Sequence, residues 1–462
     1  MFDYDLIVIG AGPGGYEAAL HASKAGLKTA VVERREVGGT CLNRGCIPTK
    51  ALLHASAVFE EAKEGASIGI SADGLSYDLP SMYAYKQQVV EKLRSGVESL
   101  LKSTKTALLR GTGTVTAPHT VAVSGESEGV YTAQNILLAT GSIPARPPIP
   151  GLELDGVMTS DELLDGISGD FQSVIIIGGG VIGMEFATFF TDLGINVTVI
   201  EGLDRLLPAM DRELGQNLTM IMKKRGATIY TGAMVKNLEK AESGLQVNFE
   251  CKGKPVSVVG EKVLCAIGRR PYTDELFQND MLPEMDGRRI RVNERFETSL
   301  PGIWAIGDVS SPVQLAHVAT AQGIFAVNEM IGKRSDFRLS LIPGCVYTRP
   351  EIATVGLTEA EAKALEIPVK TGKAIMSSNG RTVIINGDRG FMKLVAHAET
   401  KHLLGAQLMC TNASDIISQL SEAIACGHTP IDLLRIIRPH PSYEEALSAA
   451  LLDLCYKLDP DS

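Results

Sequence analysis

The sequence predicts an α/β protein with two doubly wound, Rossmann-like dinucleotide-binding domains and a separate α+β C-terminal domain. Three observations predict it. A strand, a glycine turn, a helix and a second strand occur in that order twice, each copy ending in an acid 23 positions after its first glycine. The chain, at 462 residues, is too long for one hydrophobic core and should divide into about three domains. After about Leu341 strands mix with helices and no further glycine fingerprint follows.

Tyr4 to Ile9 reads as a short strand running into Gly10-Ala11-Gly12-Pro13-Gly14-Gly15, with a helix expected over Tyr16 to Ala25. Leu27 to Val32 then gives a strand ending at Glu33. In the second copy Val174 to Ile177 leads into Gly178-Gly179-Gly180-Val181-Ile182-Gly183, a helix to Leu193, and a strand Asn196 to Ile200 ending at Glu201. The first glycine of each turn permits the tight bend, the second lets backbone approach a pyrophosphate, and the third lets helix lie on strand. One such turn is weak evidence. Flexible glycine loops do not predict the matched acids, so two dinucleotide sites are expected.

Between the copies, amphipathic helices are expected over Thr49 to Lys63 and Pro80 to Lys102, then a strand-rich stretch to Ala139. Ala145-Arg146-Pro147-Pro148-Ile149-Pro150-Gly151 reads as a proline-stiffened linker, and a second boundary falls near Gly268-Arg269-Arg270-Pro271. Residues 1–145 and 268–340 would then form one nucleotide-binding domain, 146–267 the second, and 341–462 the C-terminal domain. In the last, strands are expected over Ile352 to Gly356, Gly390 to Ala396 and Leu403 to Met409. Helices are expected over Ala413 to Cys426 and Tyr443 to Tyr456.

Composition excludes several classes. Net charge is −10 with no basic run, which argues against a nucleic-acid partner. The N-terminus enters a strand without a basic lead, unlike a signal peptide, and the longest apolar stretch, from Val174, is interrupted by glycines and Glu185. A cytoplasmic protein without a membrane span is expected. Six of the eight cysteines are scattered without metal-ligand spacing and read as small buried side chains, so no metal is expected.

The other two lie in Gly38-Gly39-Thr40-Cys41-Leu42-Asn43-Arg44-Gly45-Cys46-Ile47-Pro48-Thr49-Lys50. Five positions along a regular helix separate Cα atoms by about 7.5 Å, beyond the roughly 4.4–6.8 Å of a disulfide. A bridge would therefore need a bent or unwound turn, for which Gly39, Gly45 and Pro48 supply backbone freedom. Two unrelated buried thiols are the alternative.

Further motifs are Ala139-Thr140-Gly141, Thr298 with Ile303-Trp304-Ala305-Ile306-Gly307-Asp308, Tyr347-Thr348-Arg349-Pro350-Glu351, and His440-Pro441. With the cysteine segment they make the chain resemble the class I pyridine nucleotide–disulfide oxidoreductases over essentially its whole length, most of all the members that oxidise dihydrolipoamide. The resemblance implies FAD and NAD as cofactors. Gly10, Gly12 and Gly15 would hold the FAD pyrophosphate, Glu33 its ribose and Asp308 its ribityl chain. Gly113 and Ala316 would offer backbone contacts, and Thr140, Gly141 and Arg269 would line the cofactor side. Gly178, Gly180, Gly183 and Glu201 would hold NAD, the carboxylate favouring a free ribose 2′-hydroxyl over a 2′-phosphate.

The same resemblance makes Cys46 the flavin's partner and Cys41 the interchange thiol. Lys50 would reach flavin N5 and pair with Glu185. His440 would be the base, oriented by Glu445, with Glu444 the rival if the turn differs. The histidine would serve the other subunit's flavin, so a homodimer is implied, with a lipoyl-bearing protein as dithiol substrate. Arg44, Arg438 and Tyr443 depart from the commoner residues; Arg44 is expected either to lower a thiol pKa or to point to solvent. Glutathione-reductase-like and mercuric-reductase-like activity are the enzyme alternatives. The first lacks a basic 2′-phosphate pocket here, and the second lacks a C-terminal cysteine pair, since Cys455 stands alone. A non-catalytic flavoprotein docking subunit is the alternative of another class.

Overall fold

The computed structural model describes residues 1–167, 169–278, 281–335, 337–387 and 389–460. It has the expected fold class. In the first nucleotide-binding unit five parallel strands lie in the order Ala107–Arg110, Thr29–Glu33, Tyr4–Ile9, Gly129–Leu138, Ile303–Ala305. The second unit repeats it as Thr228–Thr231, Asn196–Glu201, Ser173–Ile177, Lys262–Cys265, Val157–Thr159. The central strands hold buried apolar runs at residues 6–9, 30–32 and 174–177, as strands covered on both faces require. Each unit also carries a three-stranded antiparallel sheet: Thr112–Ala117, Thr120–Ser124 and Gly129–Leu138 in one, Ala233–Ala241, Gly244–Cys251 and Lys254–Gly260 in the other.

The chain passes between the units through a two-stranded ribbon, Ser142–Pro144 antiparallel to Arg269–Pro271. The first half of this ribbon precedes the proline-rich segment that sequence picks out as the linker. In the C-terminal unit an antiparallel sheet runs Gly344–Val346, Glu351–Gly356, Leu403–Cys410, Phe391–His397, Val369–Ile375. Helices Ala413–Ala425 and Glu445–Leu458 bury Ile416, Leu420, Leu447 and Leu451 in the core on it. The outer two of these strands, Gly344–Val346 and Val369–Ile375, are too short or too polar to be read from sequence.

Element ends differ from expectation for local reasons. The first helix begins at Pro13, not Tyr16, because Gly12 is its N-cap and proline suits the first helical position. The redox segment is helical earlier than expected: Gly39–Arg44 is a short helix, and the next runs Cys46–Glu64 instead of starting at Thr49. The last helix starts at Glu445.

Candidate active site

The two glycine turns are near copies. Gly10 has φ +104° and Gly178 φ +113°, the left-handed side that favours glycine. A Cβ on either would stand 2.4 Å from a carbonyl oxygen, that of Ala139 or Ala266. A Cβ on Gly15 or Gly183 would lie 1.9 or 2.0 Å from the oxygen of Gly10 or Gly178, so only glycine lets helix close on strand. Around Gly12 and Gly180, the N-caps of helices Pro13–Lys24 and Val181–Asp192, a Cβ would meet nothing within 4 Å. Neither cap has a side-chain hydrogen bond. Open space beside uncapped helix N–H groups is what a pyrophosphate requires, and the chain has it twice.

The acids are used alike. Glu33 accepts from Ala11 N and Arg35 N, both at 2.8 Å. Glu201 accepts from Gly179 N at 2.6 Å and Leu203 N at 2.7 Å. Each carboxylate is buried and braces its own turn.

After Glu33 the chain returns over the first turn: Gly38 N donates to Ala11 O at 2.7 Å, and a Cβ on Gly39 (φ +57°) would be 2.6 Å from Gly12 Cα. This close approach delivers Cys41 beside the dinucleotide turn. Gly45, with φ −147° and ψ −116°, then breaks the helix, and Cys46 starts the next one. The break solves the spacing problem. Both residues are free thiols in this structure, and their side chains are hydrogen-bonded to each other. That bond raises the Cys41 thiol pKa. It is also the main cause that lowers Cys46 to about 7, with further help from the Lys50 charge.

Lys50 Nζ grips both oxygens of Glu185, at 2.7 and 2.8 Å, and lies 4.5 Å from the centre of the Tyr347 ring. Glu185 is only 3% exposed and also accepts from Tyr347 N at 3.1 Å. The pair crosses from the cysteine helix to the second unit's helix Val181–Asp192. Two helical turns on, Ser56 Oγ donates to Asp192 Oδ2 at 2.9 Å, and Arg225 reaches both Asp192 and Glu60. Burial raises the Asp192 carboxyl, with Arg225 acting against it.

Asp308 accepts from Ser142 Oγ at 2.6 Å, and burial raises its pKa. Arg269 is spent on Ser142, through its hydroxyl and carbonyl, and lies 3.5 Å from Asp161. Thr140 Oγ1 donates to Tyr272 O at 2.6 Å and Gly141 sits at φ +71°. Ala316 opens helix Ala316–Met330, whose N-terminus lacks a side-chain cap. Gly113 is packed tightly, its Cβ position 3.1 Å from Val32 Cγ1.

His440 Nδ1 pairs with Glu445 Oε1 at 2.8 Å, and Glu445 Oε2 accepts from Ser442 N at 2.8 Å. The backbone bond from Ser442, then His440, holds the Glu445 carboxyl below its usual range. Glu445, not Glu444, is the histidine's partner. The imidazole side chain is 80% exposed, and among the described residues no hydrogen bond or ion pair joins it to the thiols of its own chain. Arg44 differs from both expectations: it is 11% exposed and bonded to Glu36 at 2.6 Å, so its charge is neutralised away from Cys46. Ser142 and the Ser56–Asp192–Arg225 cluster are not singled out by sequence, and Tyr347 appears there in a motif without a role, because each acts through partners far away in sequence.

The two glycine cradles and their acids fit dinucleotides, and the first, with the thiol pair beside it, fits FAD. Among the described residues no helix is long and apolar enough to cross a membrane, and no cluster suits a metal ion. A family model described as pyridine nucleotide-disulphide oxidoreductase matches residues 4–323, and a second, its dimerisation domain, matches 342–451. The dihydrolipoyl dehydrogenase of Thermus scotoductus is 41% identical, with 97% of each chain covered. That of Bacillus subtilis is 38% identical, with 97% of this chain and 98% of the other covered. The HOCl-induced flavoprotein disulfide reductase RclA from Escherichia coli, solved as its Cu(II) complex, superposes with a TM-score of 0.87 at 27% identity, over 98% of this chain and 99% of that one. The chain belongs to the pyridine nucleotide–disulphide oxidoreductase family.

Proposed function

We propose that this protein is a homodimeric, cytoplasmic enzyme that oxidises protein-bound dihydrolipoamide to lipoamide, with FAD held at the first glycine turn and NAD⁺ as final acceptor. The observation that carries the reading is the helix break at Gly45. It brings Cys41 and Cys46 into contact beside the first cradle, with the Lys50–Glu185 pair linking them to the second.

In the oxidised enzyme a substrate thiolate attacks Cys41 Sγ, the Cys41–Cys46 bond breaks, and Cys46 leaves as a thiolate. The Lys50 charge, which favours the Cys46 thiolate, helps it leave. The second substrate thiol attacks the mixed disulfide, releasing lipoamide and Cys41. A thiol near pKa 8.5 is mostly protonated at neutral pH, so a base is needed. His440, held at Nδ1 by Glu445, keeps Nε2 free to take that proton. Its exposure, with no hydrogen bond or ion pair to its own chain's thiols among the described residues, suits service to a neighbouring subunit's thiols. FAD supplies the two-electron relay from the dithiol to NAD⁺. Lys50 and Glu185 hold the cysteine helix against the nicotinamide unit. The balance is dihydrolipoamide plus NAD⁺ giving lipoamide, NADH and one proton.

NAD is preferred to NADP because a carboxylate, Glu201, stands at the second glycine turn and would favour a free ribose 2′-hydroxyl over a 2′-phosphate. The nearest arginine, Arg205, is turned to Asp204 and to the carbonyl of Pro208. The test is anaerobic titration of the yellow holoenzyme with NADH, then turnover with lipoamide and with glutathione disulfide. Flavin reduction with lipoamide turnover is expected; a substantial glutathione disulfide rate without a lipoamide rate overturns the substrate assignment. His440→Gln should cost about a hundredfold in lipoamide turnover.

A further inference from the structure

Strand Phe391–His397 contains a lysine whose neighbours along the chain, Phe391, Met392, Leu394, Val395 and Ala396, are all buried apolar residues, and Lys393 itself is only 7% exposed. A cation is costly there unless paired. Its Nζ lies 2.6 Å from Asp211 Oδ2 and 3.4 Å from Glu213 Oε2. Lys373, its neighbour across the sheet, pairs with Glu213 as well. Both acids belong to the second nucleotide unit, at the start of helix Arg212–Lys224. The thiol chemistry makes no use of them.

Asp211 is a junction. Its other oxygen caps the helix by accepting from Glu213 N at 2.9 Å. Gly215 of that helix is pressed on Leu206, a Cβ there falling 2.2 Å from Leu206 O. Leu206 is pressed on the glycine turn, its Cδ2 only 2.5 Å from where Gly179 would carry a Cβ, and Leu207 N donates to Gly179 O at 2.9 Å. The loop 202–211, which leaves Glu201, is thus fastened at one end to the dinucleotide turn and at the other to a different domain.

We propose that Lys393 and Asp211 are positioning residues for the nicotinamide dinucleotide: through them the C-terminal sheet holds the loop after Glu201 against the second glycine turn. This rests on that turn being the NAD site. The strut sets dinucleotide affinity and leaves recognition of the dithiol unaltered.

The test is calorimetric titration of oxidised, FAD-loaded enzyme with NAD⁺, together with KM for NAD⁺ and for dihydrolipoamide, on wild type, Lys393→Met, Asp211→Asn and Lys393→Arg. Lys393→Met and Asp211→Asn should each raise Kd and KM for NAD⁺ about tenfold, with KM for dihydrolipoamide within about twofold and Lys393→Arg near wild type. Asn keeps the helix cap and the shape, so Asp211→Asn decides the matter if Lys393→Met does not fold. An unchanged NAD⁺ affinity, equal rises in both KM values, or no recovery in Lys393→Arg overturns the strut. Failure of wild type to bind NAD⁺ sinks the reading of the second turn instead.

Discussion

The two nucleotide-binding units share a framework down to single hydrogen bonds and then part at one point. In both, the residue between the first two glycines is braced through its N–H by the acid, and its carbonyl accepts from a residue downstream of that acid: Gly38 N on Ala11 O, Leu207 N on Gly179 O. In the first unit the returning chain is a glycine pair, thin enough to touch Gly12 and run straight into the cysteine helix. In the second it is Leu206 and Leu207, both buried, which plug the same place with apolar bulk. One framework therefore carries two fates. Where the return is thin a protein thiol can reach a dinucleotide bound at the turn; where it is thick no such group follows.

Cys46→Ser is expected to have the largest effect on this contrast, cutting lipoamide turnover at least about a thousandfold while NAD⁺ affinity stays within about twofold. A parallel loss of NAD⁺ binding, read by calorimetry, would mean that the units do not work separately. Gly39→Ala adds a methyl where the return must be thin, at a left-handed φ. It should cost about 1–3 kcal/mol, roughly ten- to a hundredfold in FAD affinity, seen as a lower flavin-to-protein ratio. Full flavin content in that variant breaks the comparison. Glu201→Gln weakens the brace on the turn and the ribose contact proposed for it, and should raise Kd for NAD⁺ about tenfold with flavin content unchanged. The smallest effect is expected of Lys50→Met. The ammonium stabilises the Cys46 thiolate, so its removal should move the midpoint of iodoacetamide alkylation of the reduced enzyme upward from about pH 7. No shift would leave the Cys41 hydrogen bond and the backbone N–H at Cys46 as the causes.

What could be read from sequence was what is local. The glycine turns and their acids sit within two dozen residues of each other, and each glycine has a steric duty that no other residue performs, so pattern alone found them. The pairing of Lys50 with Glu185 and of His440 with Glu445 came from resemblance, and the distances agree with it. Other features were hidden. Nothing in the spacing of Gly45 shows that the second helix begins at Cys46 itself, because either of two glycines is able to break it. Arg44 was expected at the thiols or in solvent, and its guanidinium instead meets Glu36, a residue whose position depends on how the chain returns from Glu33. Lys393 and Asp211 lie 182 positions apart, and only the assembled sheet and helix bring them together.

The discontinuity at Gly45 has a consequence for endurance. Because the two sulfurs stand on separate helical segments, Gly39–Arg44 and Cys46–Glu64, a bond between them does not have to span five positions of one regular helix. The joint needed for repeated opening and closing is thus already built into the chain, and neither helix has to be unwound to supply it.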